Sequence, residues 1–291
     1  MIKFEHLPNL RSQLVIGLLL AGLLIVFVIL GSLYLPVGVD WHLTFRPAAL
    51  ATLHGQSLYK ASPLAPYAGA PWGVWMVVPL SLLPENIGRA ILFLVSMAGF
   101  AFAAQRLGAK PLTLLAFLLS PPVIHCLLNA NQDWMPLVGF VLPPQLGLFF
   151  ILVKPQMGSV VALYWLIEAW RNNGWKEVLR VFSPVSLALG LSFLLYGLWP
   201  LNAMQIFQDS RTWNASLWPA SIPVGLGLLW ASLRKREIRY AMAASPCLSP
   251  YVLFHSWAGA LVTLVTLPGE MLAAVVGLWI LVIIQALALF G

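Results

Sequence analysis

The stretch LVIGLLLAGLLIVFVILGSLYLPVGVDW, residues 14–41, decides the fold. Its first 21 residues, Leu14 to Tyr34, carry no charge. At about 1.5 Å of rise per residue, a helix of that length crosses a hydrocarbon core of about 30 Å. Lipid offers no hydrogen bonds, so the backbone must satisfy its own polar groups, and a helix does so within one segment. The run is too long for a signal h-region and lacks a small-residue cleavage site, so it reads as a retained anchor. After Leu35-Pro36 it delivers Asp40 and Trp41 to the membrane surface. The chain has nine carboxylates, so an acid beside an aromatic at a bilayer exit is a candidate functional group. The plainer reading is a solvated loop acid or a partner of Arg46.

Composition extends the membrane reading to the whole chain. Hydrophobic residues make up 60%, charged residues 9%, and mean hydropathy is +0.89. A soluble domain would carry about 25% charged residues. The class expected is therefore an all-α, polytopic protein of the cell membrane, one integral domain over 1–291. Thirteen Trp and 22 Pro fit interfacial belts and helix breaks. The net charge of +7 is accounted for by cytoplasmic Lys and Arg, with no nucleic-acid partner implied. Cys126 and Cys247 lie in apolar segments, which predicts buried free thiols.

Basic residues set the expected orientation. Four clusters, Lys3/Arg11, Arg106/Lys110, Arg171/Lys176/Arg180 and Arg234/Lys235/Arg236/Arg239, hold 11 of the 16. The positive-inside rule places them and the N-terminus in the cytoplasm. Residues 36–86 are then external, with a short amphipathic helix over Phe45–His54 and an apolar stretch, Pro71–Leu83, dipping into the outer leaflet. Spans follow at about 87–105 and 111–128, ahead of the polar cluster Asn129–Trp134. From Met135 to Val153 the run is broken at Pro143-Pro144. Each arm is too short to cross, so the run is either one kinked span or a re-entrant hairpin. The hairpin is favoured because it keeps the 171–180 loop inside and Lys154 outside. Helices at 156–170 and 182–199, an outer loop at 200–219, a helix at 219–233, two short helices in 240–268 and a span at 270–290 complete about nine to eleven membrane segments.

On this map the outer half gathers Asp40, Arg46, His54, Lys60, Asn131, Gln132, Asp133, Lys154, Arg211 and His255. Ionisable groups in a bilayer are costly unless paired or facing a cavity. One or two acids among several cations suit a reaction on an anionic, lipid-linked substrate: cations hold phosphate oxygens and an acid takes a proton from an attacking hydroxyl. There is no HExxH, no zinc-spaced Cys/His set, no P-loop and no dinucleotide-binding glycine pattern.

The order of short motifs carries a resemblance. Asp40-Trp41 follows the first helix, then Gly55-Gln56-Ser57-Leu58-Tyr59, a Pro-rich entry into 67–83, Asn131-Gln132-Asp133, Val153-Lys154-Pro155, and Leu248-Ser249-Pro250-Tyr251 with His255. Over roughly residues 14–270 this resembles the GT-C superfamily of glycosyltransferases that use polyprenyl-phosphate sugars, most of all family 87, the mannosyltransferase-type multispan proteins. The resemblance implies Asp40 as general base, Asn131-Gln132 in the place of a Gly-Gln motif, and Lys154 at the donor phosphate. It implies a lipid-linked sugar donor as substrate and no separate cofactor. Asp133, Arg46, Arg211 and His255 join as candidate substrate-binding residues. No Asp-x-Asp pair stands in the first loop, so no metal is implied. The chain is shorter than typical members, which keeps a second expectation open: a non-catalytic subunit of a membrane protein complex on a degenerate frame. A transporter would need related halves and a midplane site.

Overall fold

The computed structural model describes residues 10–209 and 211–290, with side chains over 13–206 and 212–288. It is all-helical among the described residues. Four helices are long and apolar enough to cross a membrane, as expected of a multi-pass membrane protein: 13–34 within α1 (Leu10–Tyr34), α5 (Glu85–Arg106), α10 (Pro155–Tyr196) and 268–288 within α15 (Pro268–Phe290). A fifth arises if α6 (Pro111–Leu118) and α7 (Pro121–Asn129), bent by 53° at Ser120-Pro121, count as one span. Pro121 supplies the reason for the bend, since it disfavours helical backbone at Ser120 and removes a donor.

α1 stands apart with its apolar side chains exposed, meeting α5 where Gly31 faces Ala90; a Cβ on Gly31 would lie 3.1 Å from the Ala90 Cβ. From Tyr34 the chain turns through Gly38, whose φ of +76° suits glycine, into one π-helical turn at Trp41–Phe45. Trp41 is fully buried over Gly88 and donates its indole N–H to the Glu85 carbonyl at 3.2 Å. Asp40 is thereby fixed at the head of α5.

The segment beyond is more buried than the sequence implies. α2 (Arg46–Leu53) ends at His54 before the left-handed Gly55, close to expectation. The 71–83 stretch instead forms two short helices, α3 (Pro71–Trp75) and α4 (Val78–Ser81). α3 is enclosed by protein: Trp72 donates to the Phe149 carbonyl at 2.7 Å. A lone one-turn helix leaves most of its backbone unsatisfied, and burial among partners is how the chain meets that cost.

α8 (Trp134–Val141) and α9 (Pro144–Ile151) fold back on each other around Pro143-Pro144, so this run is the hairpin and not a kinked span. Gly139 and Gly147 make the close approach: a Cβ on Gly147 would meet the Gly139 carbonyl at 2.5 Å and the Trp165 ring at 2.6 Å. Both clashes involve rigid groups, so Gly147→Ala should lower stability by about 1–3 kcal/mol, as overpacking typically does. Thermal unfolding in detergent checks this.

α10 contains a break at Asn173-Gly174, where Gly174 has φ +58° and ψ −146°. The break separates two helical arms. Tyr67 and, at the α10 end, Tyr196 both contact the Tyr59 ring. Tyr59 also stacks on Trp199, in α11 (Trp199–Asp209), with ring planes 3° apart.

At the other end of the bundle the basic loops meet. Arg171 donates to the Leu233 carbonyl in α12 (Ile222–Lys235), and Arg236 pairs with Glu168. Arg239, in α13 (Ile238–Cys247), donates to the Leu107 carbonyl at 2.8 Å. The stretch 248–264 is not a second full helix but a loop followed by one-turn pieces, including α14 (Ala258–Leu261). Cys126 and Cys247 are free and buried.

Candidate functional site

Four stretches converge on one cavity of about 510 Å³: 39–45, 64–69, 153–156 and 251–255, with His125, Asn129 and Asn131 from the end of α7. Polar groups on its surface include Asp40, Asn131, Lys154, His125 and His255; Leu43, Phe45, Leu64, Val153 and Phe254 are among its apolar lining.

Asn131 sits at the centre. α7 ends in a Schellman motif: Ala130 takes the left-handed conformation (φ +57°), and the Asn131 N–H reaches back to the Cys126 carbonyl at 3.0 Å. That turn aims the Asn131 amide at three partners. Its Nδ2 donates to Asp40 Oδ2 at 2.6 Å. Its Oδ1 accepts from Lys154 Nζ at 2.5 Å and from the Gln132 N–H at 2.6 Å. Two donors on one side and a carboxylate on the other admit one amide orientation. An L-residue in left-handed backbone costs about 1–2 kcal/mol, so Ala130→Gly should raise stability by about 1 kcal/mol. Denaturant or thermal unfolding measures it.

A buried arginine locks the same turn. Arg89, 2% exposed, donates Nη2 to the Leu127 and Leu128 carbonyls at 2.7 and 2.8 Å. A Cβ on Gly38 would come within 2.4 Å of Arg89 Nε. Arg89 thus ties the Asp40 loop to the Asn131 turn.

Below the cavity lies Asp133, fully buried. Its carboxylate pairs with the Lys154 ammonium, accepts from Ser256 Oγ at 3.0 Å, and stands 2.5 Å from His255 Nδ1. Burial alone would raise this carboxyl, but His255 and Lys154 outweigh it and hold it below the usual carboxylate range. The opposite holds for Tyr67 on the cavity wall: burial pushes its phenol up, so it serves as a neutral donor, here to the Ala70 carbonyl.

The candidates sort accordingly. Asp40, Asn131, Lys154 and His255 share the cavity. Asp133 does not line it; it is the counter-ion beneath Lys154 and His255, so a direct substrate contact is corrected to a supporting one. Gln132, 1% exposed, is also turned away, donating to the Gly73 carbonyl at 3.1 Å. Arg46 faces Glu85, 3.6 Å away, because Glu85 at the start of α5 also holds His42. The Arg211 side chain lies outside the described residues.

Sequence reading missed His125 altogether, and named Asn129, Tyr67 and Tyr251 only within motifs, not as residues of the walls. His125 and Asn129 are spaced i, i+4 on α7, a signal that places both on one helix face. His125 stacks on His255 with centroids 5.5 Å apart.

Cys126, Asp133 and His255 bring possible metal-ligating atoms within 4.8 Å of one another. The Lys154 ammonium already occupies the Asp133 carboxylate, and a divalent ion beside it would meet like charge. The cluster is read as an ion-pair network. No protein-family model, curated protein or solved structure matches the chain. The site is therefore read from its own chemistry.

Proposed function

We propose that the chain is a membrane hexosyltransferase that moves a sugar from a polyprenyl-phosphate donor to an acceptor hydroxyl at the outer membrane face. The observation that carries this reading is the single Asn131 amide joining the Asp40 carboxylate to the Lys154 ammonium on the wall of one cavity. A base and a cation held a side chain apart suit a transfer in which a hydroxyl attacks and a phosphate leaves. Asp40 spends one oxygen on Asn131, and the other has no partner among the described residues. It takes the acceptor proton as the acceptor oxygen bonds to the anomeric carbon. The bond from that carbon to the phosphate oxygen breaks, and its electron pair leaves with polyprenyl phosphate. Lys154, 9% exposed, and the N-terminus of α10 supply positive potential for that phosphate. Apolar walls suit the first isoprene units. The donor comes from the resemblance drawn above; membrane lipids surround the spans, and the basic end of the bundle faces the cytoplasm on this reading.

The test is transfer from labelled polyprenyl-phosphate hexoses in proteoliposomes. Donor-dependent product supports the reading, and no turnover with any such donor overturns it. One observation favours the non-catalytic-subunit alternative: none of the apolar window of α1 is buried, leaving apolar surface away from its α5 contact for a partner span. Co-purification of a stoichiometric membrane partner from an inactive preparation would select it.

A further inference from the structure

Arg89 stands one turn into α5, 2% exposed, with its guanidinium carbon 5.8 Å from the Phe93 ring centre. A charged side chain within a span is costly unless a partner or a cavity takes it, and such residues mark function more often than packing. Arg89 does not line the cavity. Its Nη2 meets both the Leu127 and Leu128 carbonyls, while Nε and Nη1 have no hydrogen-bond partner among the described residues. Those carbonyls belong to the last turn of α7, the negative end of its dipole, and they take the positive charge in place of a carboxylate. On its other side the arginine lies against Gly38, two residues before Asp40. A Cβ at Gly38 would stand 2.4 Å from Arg89 Nε, 3.0 Å from Arg89 Cδ and 3.2 Å from the Ala130 Cβ. The loop carrying Asp40 and the turn carrying Asn131 thus meet beside the guanidinium.

We infer that Arg89 is a positioning residue for the transfer proposed above, on which this inference rests: its guanidinium sets the spacing of the Asp40 loop and the Asn131 turn, and so the aim of the Asp40 carboxylate. It touches no substrate and acts through the 2.6 Å bond from Asn131 Nδ2 to Asp40 Oδ2. Proton transfer to a base is sensitive to such aim, and a misplacement of about 1 Å costs about 100-fold in rate. Arginine suits the place because its planar fork is rigid. One nitrogen holds the α7 carbonyls while Nε and Cδ form a flat surface under Gly38. A lysine keeps the charge on those carbonyls but has no plane to set against the loop. Lys154 is anchored independently, by Asp133, so the cation offered to the phosphate does not depend on Arg89.

The test is Arg89→Lys and Gly38→Ala in the full chain, in proteoliposomes with labelled polyprenyl-phosphate hexose. Thermal unfolding, donor KM and the rate constant per folded molecule are followed together. In Arg89→Lys the unfolding temperature should stay near the parent's, while the rate constant falls by about 10- to 100-fold and donor KM holds within about twofold. Gly38→Ala approaches from the other side. Its methyl group displaces the loop from an intact guanidinium, so the same fall in rate at unchanged donor KM is expected. An arginine that served the fold alone would lower the unfolding temperature and the yield, with no loss of rate per folded molecule. A parent-like rate constant in either variant, or rate and donor KM changed in equal proportion, overturns the inference. The glycosyltransferase reading, with Asp40 as base, would then still stand. If Arg89→Lys does not fold, the rate of Gly38→Ala decides. Failure of both to fold makes Arg89 a structural brace and overturns the inference as well. If the parent transfers no sugar from any such donor, both readings fall.

Discussion

Asp40→Asn should reduce sugar transfer by about 100- to 10,000-fold, the span that a well-placed general base contributes, with little change in folding. The substitution keeps the shape of the side chain. An asparagine oxygen at position 40 still accepts from Asn131 Nδ2, now 2.6 Å from a carboxylate oxygen, so the Asn131 turn and Lys154 keep their places. What is lost is the lone pair basic enough to take the acceptor proton. Donor binding should hold or tighten, because one negative charge near the phosphate has gone. The rate constant should therefore fall while the donor KM does not rise. Initial rates with labelled polyprenyl-phosphate sugar in proteoliposomes separate the two. Turnover like the parent's would discard Asp40 as base, and equal losses in binding and rate would make it a binding residue instead.

Much of the site was legible because the chain is poor in ionisable groups, with 9% charged residues. Asp40, Lys154 and His255 lie more than 100 residues apart from first to second and from second to third. Each is flanked by apolar sequence, so a membrane protein has reason to bring them together. Pro143-Pro144 announced the hairpin for a similar reason, since arms of eight residues in α8 and α9 cannot cross. What stayed hidden depends on irregular backbone. Asn131, Gln132 and Asp133 are consecutive, and nothing in their order says that Asn131 faces the cavity while Asp133 faces the core. The left-handed Ala130 decides that, and alanine gives no warning of it. Arg46 entered the candidates because the expected topology put it among the cations of the outer half. Its partner, Glu85, stands at the head of the next spanning helix, 39 positions on.

The second large effect concerns Lys154, and the structure makes a single substitution ambiguous. Lys154→Ala removes a cation from the cavity, but it also strips a fully buried carboxylate of its ammonium partner, leaving it His255 and Ser256. Breaking a buried pair from one side costs about 3–5 kcal/mol, because the remaining charge is left uncompensated. A weakened donor response in that variant would mix misfolding with lost phosphate binding. The double substitution Lys154→Met with Asp133→Asn separates them. An asparagine at 133 still accepts from Ser256 Oγ and offers no stranded charge, while methionine fills much of the lysine stem's volume. Its thermal unfolding should recover most of the stability lost in Lys154→Met alone. Replacing a buried pair as a unit is often close to neutral. Donor affinity should not recover, since the phosphate has lost its ammonium and the negative Asp40 remains. Unfolding temperature and donor KM, measured on the two variants, then distinguish a structural lysine from a phosphate-binding one. Recovery of both together would show that Lys154 serves the fold alone. Recovery of stability with KM still raised, by at least about tenfold for a lost charged hydrogen bond of 1.5–3 kcal/mol, would place the ammonium at the phosphate.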